Sequence, residues 1–91
     1  MSQRSVIVGS RVGLHARPAS LFVQAAARQP VAITIGKPEG PAVDARSILM
    51  VLGLDVRGGQ EVLLTAEGDG AEQALEELTS LLASDLDAEA A

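Results

Sequence analysis

Residues 5–28, SVIVGSRVGLHARPASLFVQAAAR, change from the pattern of a β-strand to that of an α-helix, and this change decides the fold class. Three branched residues favour a strand between Ser5 and Ser10 that ends at Gly9: Val6, Ile7 and Val8. The second half repeats apolar residues at the spacing i, i+3, i+4, i+7 of a helix that ends near Arg28, before Pro30: Ala19, Phe22, Val23 and Ala26. A strand that leads directly into a helix indicates a mixed fold.

Two strands and a short helix are predicted after this segment. Residues 31–35 alternate with the period of a strand that buries one face. After a turn at residues 36–41, Ala42 and Val43 form a short strand, which Pro41 confines to an edge of the sheet because proline cannot donate to a ladder. Residues 47–52 then predict a short helix that is capped by Ser47 and ends at Gly53.

The last part of the chain adds one strand and one helix. Gly58 and Gly59 predict a turn, and the strand from Glu61 to Ala66 follows it. Asp69 and Glu72 have the spacing of a capping pair at a helix start. An apolar stripe carries this helix to about residue 83, through Ala71, Ala74, Leu75, Leu78, Leu81 and Leu82.

The element order is therefore β-α-β-β-α-β-α. The strands are too short and too polar on one face for a doubly wound parallel sheet, so we predict an α+β fold in which helices pack on one face of an antiparallel sheet. We expect residues 1–91 to form a single domain, with residues 84–91 as a frayed acidic tail.

Composition excludes several classes of function. The net charge is −5 and Phe22 is the only aromatic residue, which disfavours binding of nucleic acid by charge and by stacking. The absence of cysteine rules out a disulfide scaffold, thiolate chemistry and cysteine-based zinc sites. No apolar run is long enough to span or enter a membrane and none suggests a signal peptide, so we expect a cytoplasmic protein without metal or cofactor.

His15 is the only residue of the chain that suggests covalent chemistry. It stands in GLHARPAS (residues 13–20), where the strand and turn give way to the first helix. Pro18 belongs in a helix's first turn, and proline disfavours helical backbone at the preceding Arg17, which is therefore either a cap or a helical residue; in both cases His15 lies at the helix start. The N–H groups of Ala16 and Arg17 at such a helix start favour a bound anion, and a neutral imidazole beside them keeps a lone pair for attack.

These residue types suit phosphoryl transfer. They combine a nucleophilic nitrogen, amide donors and the Arg17 guanidinium around the place where three charged oxygens would lie. The alternative is purely structural, with His15 as a helix cap and Arg17 as a surface cation, and residue spacing alone does not exclude it.

The order of motifs resembles that of HPr, the histidine phosphocarrier of the bacterial sugar phosphotransferase system. The resemblance extends from about residue 5 to residue 83 without large insertions, and its most specific part is His-Ala-Arg-Pro. The other segments that carry it are Phe22-Val23, Ala45-Arg46-Ser47-Ile48-Leu49, Leu52-Gly53-Leu54, Gly58-Gly59-Gln60-Glu61-Val62 and Ala66-Glu67-Gly68.

The resemblance implies both a fold and a function. The family fold is an open-faced β-sandwich, in which three helices cover one face of a four-stranded antiparallel sheet. The histidine that matches His15 accepts phosphate on Nδ1 from phosphorylated enzyme I, which is itself charged by phosphoenolpyruvate. It then donates the phosphate to the IIA domain of a sugar permease, and the arginine that matches Arg17 supports the phosphate. Such a protein is a carrier and not an enzyme, and the sugar is chosen by the permease.

The short second helix carries two further hypotheses. In many relatives the serine that matches Ser47 is phosphorylated by an HPr kinase, so Ser47 is either a regulatory site or only a helix cap. Five successive apolar residues are more than one buried face uses, and part of the set is predicted to dock enzyme I and the IIA domain: Ile48, Leu49, Met50, Val51 and Leu52. The alternative places all five in the core.

Paralogues with the same fold leave a second function open. A regulatory HPr-like module would bind a partner protein according to its phosphorylation state. Retention of His15 and Arg17 favours the carrier, because a purely regulatory module does not need the nucleophile. We expect a monomer in either case.

Overall fold

The computed structural model describes residues 2–84, so the prediction of a frayed tail lies, for residues 85–91, outside the described part of the chain. The seven predicted elements are present in the predicted order. They are β1 (Ser2–Ile7), α1 (Ala16–Ala27), β2 (Ile33–Gly36), β3 (Val43–Asp44), α2 (Ile48–Gly53), β4 (Glu61–Ala66) and α3 (Ala71–Ala83).

The four strands form one antiparallel sheet in the order β1-β4-β2-β3. β4 lies between β1 and β2, so that Leu64 is paired with Arg4 on one side and with Ile35 on the other. β3 lies at the edge of the sheet, as Pro41 predicts. The confirmed fold is α+β, with an open sheet and three helices.

One face of the sheet is buried and the other is open. Val62, Leu64 and Ala66 are buried, whereas Glu61, Leu63 and Thr65 alternate with them and retain solvent exposure. α3 packs against β1 and β4, and α1 packs against α2 and α3. The core between these layers is aliphatic except for Phe22, which is completely buried. No helix of residues 2–84 has the length and apolar character needed to cross a membrane.

β1 lies earlier in the chain than the prediction of a strand between Ser5 and Ser10. Ser2 and Arg4 are polar residues of β1 that turn toward α3, where both contact Glu72. The Ser2 hydroxyl donates to one carboxylate oxygen of Glu72 at 2.5 Å, and Arg4 Nη2 donates to the other at 2.8 Å. A partner about seventy residues away in sequence thus satisfies the polar side chains of the strand, and local propensity cannot reveal it.

The same contacts overturn the predicted capping pair of α3. The N-cap is Gly70 and not Asp69, and it makes no side-chain capping bond. Gly70 has φ +92°, a left-handed conformation that glycine adopts readily. Glu72 is engaged by β1, so it does not complete the reciprocal bonds of a capping box.

α1 begins at Ala16 with His15 as its N-cap, so Arg17 is a helical residue and not the cap, and His15 lies at the helix start as predicted. Pro18 is the third residue of the helix, where a backbone N–H has no carbonyl within the helix to reach. Proline therefore removes no hydrogen bond at this position, and the bias that it imposes on Arg17 is overcome. The remaining boundaries differ from prediction by two residues or fewer, and β4 is as predicted.

Candidate functional site

His15 occupies the N-cap position of α1. Its backbone is extended, with φ −129° and ψ 159°, and its side chain makes no capping hydrogen bond. The side chain is 39% exposed, whereas the preceding Leu14 is completely buried. Leu14 thus anchors the chain in the core immediately before a partly exposed imidazole, and the role of helix cap is not taken by the His15 side chain.

The loop before α1 is joined to the loop after α2 by its backbone. The Leu14 N–H donates to the Val56 carbonyl oxygen at 2.9 Å, and Val56 is completely buried. Two glycines allow this approach, because a Cβ at Gly13 would overlap the Val56 carbonyl and a Cβ at Gly58 would lie 2.5 Å from the Ser10 carbonyl oxygen. The residues next to these anchors, His15 and Asp55, are thereby held side by side.

Asp55 contacts both His15 and Arg57. His15 Nε2 lies 3.2 Å from Oδ1 of Asp55, and Arg57 Nη2 lies 3.5 Å from Oδ2. The Arg57 charge and its hydrogen bond hold the pKa of Asp55 below its ordinary value of 3.8, and the hydrogen bond from His15 acts in the same direction. The carboxylate beside the imidazole is therefore ionised at neutral pH.

A small polar cleft surrounds these groups. It has a volume of about 330 Å³ and is lined by Arg11, Val12, His15, Asp55, Arg57 and Gly58. The sequence did not indicate Arg11, Asp55 or Arg57, because the cleft is formed by two loops that are forty or more residues apart in the chain. The nearest sequence signal was the Gly58-Gly59 turn that follows Asp55 and Arg57.

Two non-glycine residues in the described range have left-handed backbone, and both adjoin His15. Ala16 has φ +50° and Asp55 has φ +52°. Left-handed backbone costs an alanine roughly 1 to 2 kcal/mol, and aspartate tolerates it better. Such conformations persist where the surrounding structure imposes them, and they are concentrated at functional sites.

Arg17 lies on the exposed first turn of α1, but its side chain does not line the cleft. Its N–H and that of Ala16 belong to the first turn, where helical N–H groups lack carbonyl partners from the same helix. The structure thus places both predicted backbone donors next to His15 and leaves the Arg17 guanidinium on the surface beside them. Within residues 2–84, no three histidine, aspartate or glutamate side chains form a group that could hold a metal ion.

α2 divides the five predicted docking residues into two groups. Leu49 is 79% exposed and Met50 is 50% exposed, and Ile48 is exposed to a smaller extent. Val51 is completely buried and offers no surface to a partner, and Leu52 is half-buried against the core. Ser47 caps the helix, since its hydroxyl oxygen accepts from the Met50 N–H at 3.4 Å. We use the name α2 patch for Ile48, Leu49 and Met50.

Comparison with known proteins identifies the family. The family model PTS-HPr, described as "PTS HPr component phosphorylation site", matches residues 2–84. The chain belongs to the HPr family. It is 51% identical to the phosphocarrier protein HPr of Streptomyces coelicolor over 87 residues, which are 96% of this chain and 94% of that protein.

Solved structures of HPr proteins have the same architecture. The crystal structure of HPr from Bacillus anthracis matches with a TM-score of 0.84 and 42% identity, over 89% of this chain and 95% of that chain. The crystal structure of Crh, a catabolite repression protein from Bacillus subtilis, matches with a TM-score of 0.72 and 40% identity, over 94% of this chain and 98% of that one. That Crh structure is a domain-swapped dimer.

Membership in the family confirms the resemblance inferred from GLHARPAS and the segments after it. HPr proteins are phosphocarriers of the phosphotransferase system, which confirms the expectation of a carrier and not an enzyme. The roles of individual residues and the identity of the partners remain predictions.

Proposed function

We propose that this HPr protein relays a phosphoryl group for sugar uptake. Phosphorylated enzyme I, charged by phosphoenolpyruvate, is the donor, and the IIA domain of a sugar permease is the acceptor. The proposal is supported above all by the position of His15, whose half-exposed imidazole stands at a helix start that its own side chain leaves uncapped. The relay operates in the cytoplasm, and the protein acts as a monomer.

The transfer step uses the lone pair of Nδ1. This nitrogen attacks the phosphorus, and the bond between phosphorus and the donor atom of enzyme I breaks as the new N–P bond forms, so that the electron pair of the broken bond stays with enzyme I. The first-turn N–H groups of Ala16 and Arg17, together with the positive end of the α1 dipole, stabilise the phosphoryl oxygens. The Arg17 guanidinium, exposed on the same turn, turns toward the phosphoryl group once it is bound.

Enzyme I and the IIA domain dock on the α2 patch. α2 packs against α1, so its exposed apolar side chains belong to the layer that carries His15. Unbranched, polarizable methionine adapts to more than one partner surface, which suits a carrier that must meet a donor and an acceptor in turn.

Labelling tests the relay. The wild type, His15→Ala and Ser47→Ala are incubated with labelled phosphoenolpyruvate and a bacterial enzyme I, and the label is then exposed to acid and to base. We expect label that is lost in acid and stable in base on the wild type and on Ser47→Ala, and none on His15→Ala. Circular dichroism of His15→Ala should match the wild type, because a half-exposed residue adds little to the core. Full labelling of His15→Ala would contradict the assignment of the site.

A regulatory HPr-like module is the second candidate. The similarity to Crh, a catabolite repression protein, favours it. The higher identity to a phosphocarrier and the presence of His15 favour the relay. Absence of label in the presence of a competent enzyme I would favour the regulatory module and would direct attention to partners of Ser47 and the α2 patch.

Phosphorylation of Ser47 by an HPr kinase is compatible with its position at a helix start. The dipole of α2 tolerates a phosphate there, although the hydroxyl oxygen already serves as the cap. Incubation with such a kinase and ATP separates regulation from capping. Label on the wild type that disappears in Ser47→Ala supports regulation, whereas equal label on both proteins or none on the wild type excludes it.

A further inference from the structure

We propose that Asp55 is a positioning residue for this transfer, because it keeps the ring proton of His15 on Nε2 and so leaves the lone pair on Nδ1. The inference rests on the proposed relay through His15 and specifies how the imidazole is prepared for it. No local motif indicates this role, since Asp55 lies forty residues after His15 in the sequence.

The first step of the argument is the chemistry of the contact. An ionised carboxylate only accepts hydrogen bonds, so Oδ1 of Asp55, at 3.2 Å from His15 Nε2, selects the ring form that carries its proton there. In a neutral imidazole the other nitrogen then holds the lone pair. The contact thus decides which of two otherwise similar nitrogens is the nucleophile.

The second step is the rigidity of the Asp55 backbone. Val56 is buried and accepts the hydrogen bond from Leu14, so the two loops that carry His15 and Asp55 cannot shift independently. Asp55 has left-handed backbone at φ +52°, a conformation that glycine would adopt without cost. A residue with a carboxylate stands there instead, and its two oxygens contact His15 and Arg57.

The third step is the balance of the reaction. When Nδ1 bonds to phosphorus, the electron pair of that nitrogen enters the new bond and the ring becomes an imidazolium that still carries its Nε2 proton. Asp55 stabilises this positive charge. When the group leaves, the pair returns to Nδ1 and the ring is neutral again. Each direction proceeds without gain or loss of a ring proton, as long as Asp55 holds it.

Positively charged side chains around the cleft compensate for the repulsion between the Asp55 carboxylate and a phosphoryl group on His15. Arg57 and Arg11 line the cleft with Asp55, and Arg17 lies on the adjoining helix turn. Two guanidinium groups line the cleft with the one carboxylate and a third lies on the adjoining turn, which leaves the surroundings of His15 positive for an incoming anion. Asp55 can therefore interact with the ring without giving the site a net repulsion for phosphate.

Nitrogen-15 NMR of the unphosphorylated protein tests the contact by itself. Spectra are recorded at a pH at which the imidazole is neutral, for the wild type, Asp55→Gly, Asp55→Asn and the control Asp69→Asn. Glycine fits the left-handed backbone, and Asp69 lies in the turn between β4 and α3, at the opposite end of β1 from His15. We expect a protonated Nε2 and an unprotonated Nδ1 in the wild type and in Asp69→Asn.

In Asp55→Gly both nitrogens should move toward averaged shifts as the second ring form becomes populated, with Asp55→Asn between the two. Unchanged shifts in Asp55→Gly would overturn the proposal, whatever the protein does with enzyme I.

Kinetics test the consequence. For an exposed contact we expect the maximal rate of phosphate acceptance to fall about fivefold in Asp55→Gly, with the KM for enzyme I unchanged. An altered KM at a constant maximal rate would show that Asp55 only contacts the partner, and an unchanged rate would exclude positioning; either result overturns the proposal. A wild type that accepts no phosphate would instead refute the relay, and the NMR result would still decide whether Asp55 sets the ring form.

Discussion

The starts of α1 and α2 make opposite use of the same local geometry. Both helices begin after an extended residue, His15 in one case and Ser47 in the other. The Ser47 side chain turns back to accept from the Met50 N–H, whereas the His15 side chain turns away from the helix toward Asp55. One helix start is closed by its own side-chain cap, and the other has no side-chain cap.

The side chains around the two helix starts also differ, in polarity. Charged side chains of the loop after α2 face His15, while three exposed apolar side chains follow Ser47. In the proposed relay, the start of α1 without a side-chain cap serves chemistry and the capped start of α2 serves recognition. The following predictions test this distinction.

Met50→Glu should have the largest effect. A carboxylate in the α2 patch would have to lose its hydration on docking, so we expect transfer from enzyme I to slow about thirtyfold, the equivalent of about 2 kcal/mol at a central interface position. The effect should appear in the KM for enzyme I. Ala27→Glu is the control, since Ala27 is an exposed residue at the far end of α1 from His15. Equal rates for Met50→Glu and the wild type would refute docking through Met50.

Arg17→Ala should slow phosphate acceptance about tenfold without abolishing it, because one charge-assisted hydrogen bond to the phosphoryl group is lost while the backbone donors remain. The measurement is the maximal rate of labelling by enzyme I. Arg46→Ala, which removes an exposed arginine immediately before the Ser47 cap of α2, is the control and should keep the wild-type rate. A loss as large for Arg46 as for Arg17 would remove the distinction between the two helix starts.

Ser47→Ala should lower the free energy of unfolding by about 0.5 to 1 kcal/mol, since the Met50 N–H loses its acceptor. Urea denaturation at neutral pH measures the change. His15→Ala should show no comparable loss of a cap, because the His15 side chain does not form one. A larger destabilisation by His15→Ala would mean that the α1 start depends on its histidine for stability.

The smallest expected effect is a difference between the two helix starts in how their contribution to stability responds to acid. The folded protein holds the pKa of Asp55 below 3.8, so the contact stabilises the fold fully above that pH and is lost as pH falls through the lower folded value. The Ser47 cap does not titrate. Unfolding midpoints measured from neutral pH down to below 3.8 should therefore fall less steeply in Asp55→Asn than in Ser47→Ala. Identical slopes would contradict the contribution of Asp55.

The elements were predictable from local patterns, and the exceptions share one cause. The period of two in Glu61 to Ala66 and the apolar stripe after Ala71 are local signals, and both elements occur as predicted. The start of β1 and the cap of α3 were missed together, because Glu72 bonds Ser2 and Arg4 across the fold. Such long-range polar contacts override local strand and capping preferences, and neither segment indicates them in its own sequence.

The candidate site shows the same division. GLHARPAS is continuous in sequence, and it identified His15, the helix start and the family. Asp55 and Arg57 were missed, because long-range contacts such as the hydrogen bond between Leu14 and Val56 bring their loop to the imidazole. Five successive apolar residues in α2 are more than one buried face can hold, so the sequence predicted that some of them are exposed. Which ones are exposed depends on how the helix is rotated against its neighbours, which leaves Met50 exposed and Val51 buried.

The strand order has a consequence for synthesis. β1 and β2 do not pair with each other, and both pair with β4, whose last residue is Ala66. A nascent chain that ends before Glu61 therefore holds its first strand without any neighbour in the sheet. β1 can therefore take its place in the sheet only after β4 has left the ribosome, which makes its pairing a late, long-range step of folding.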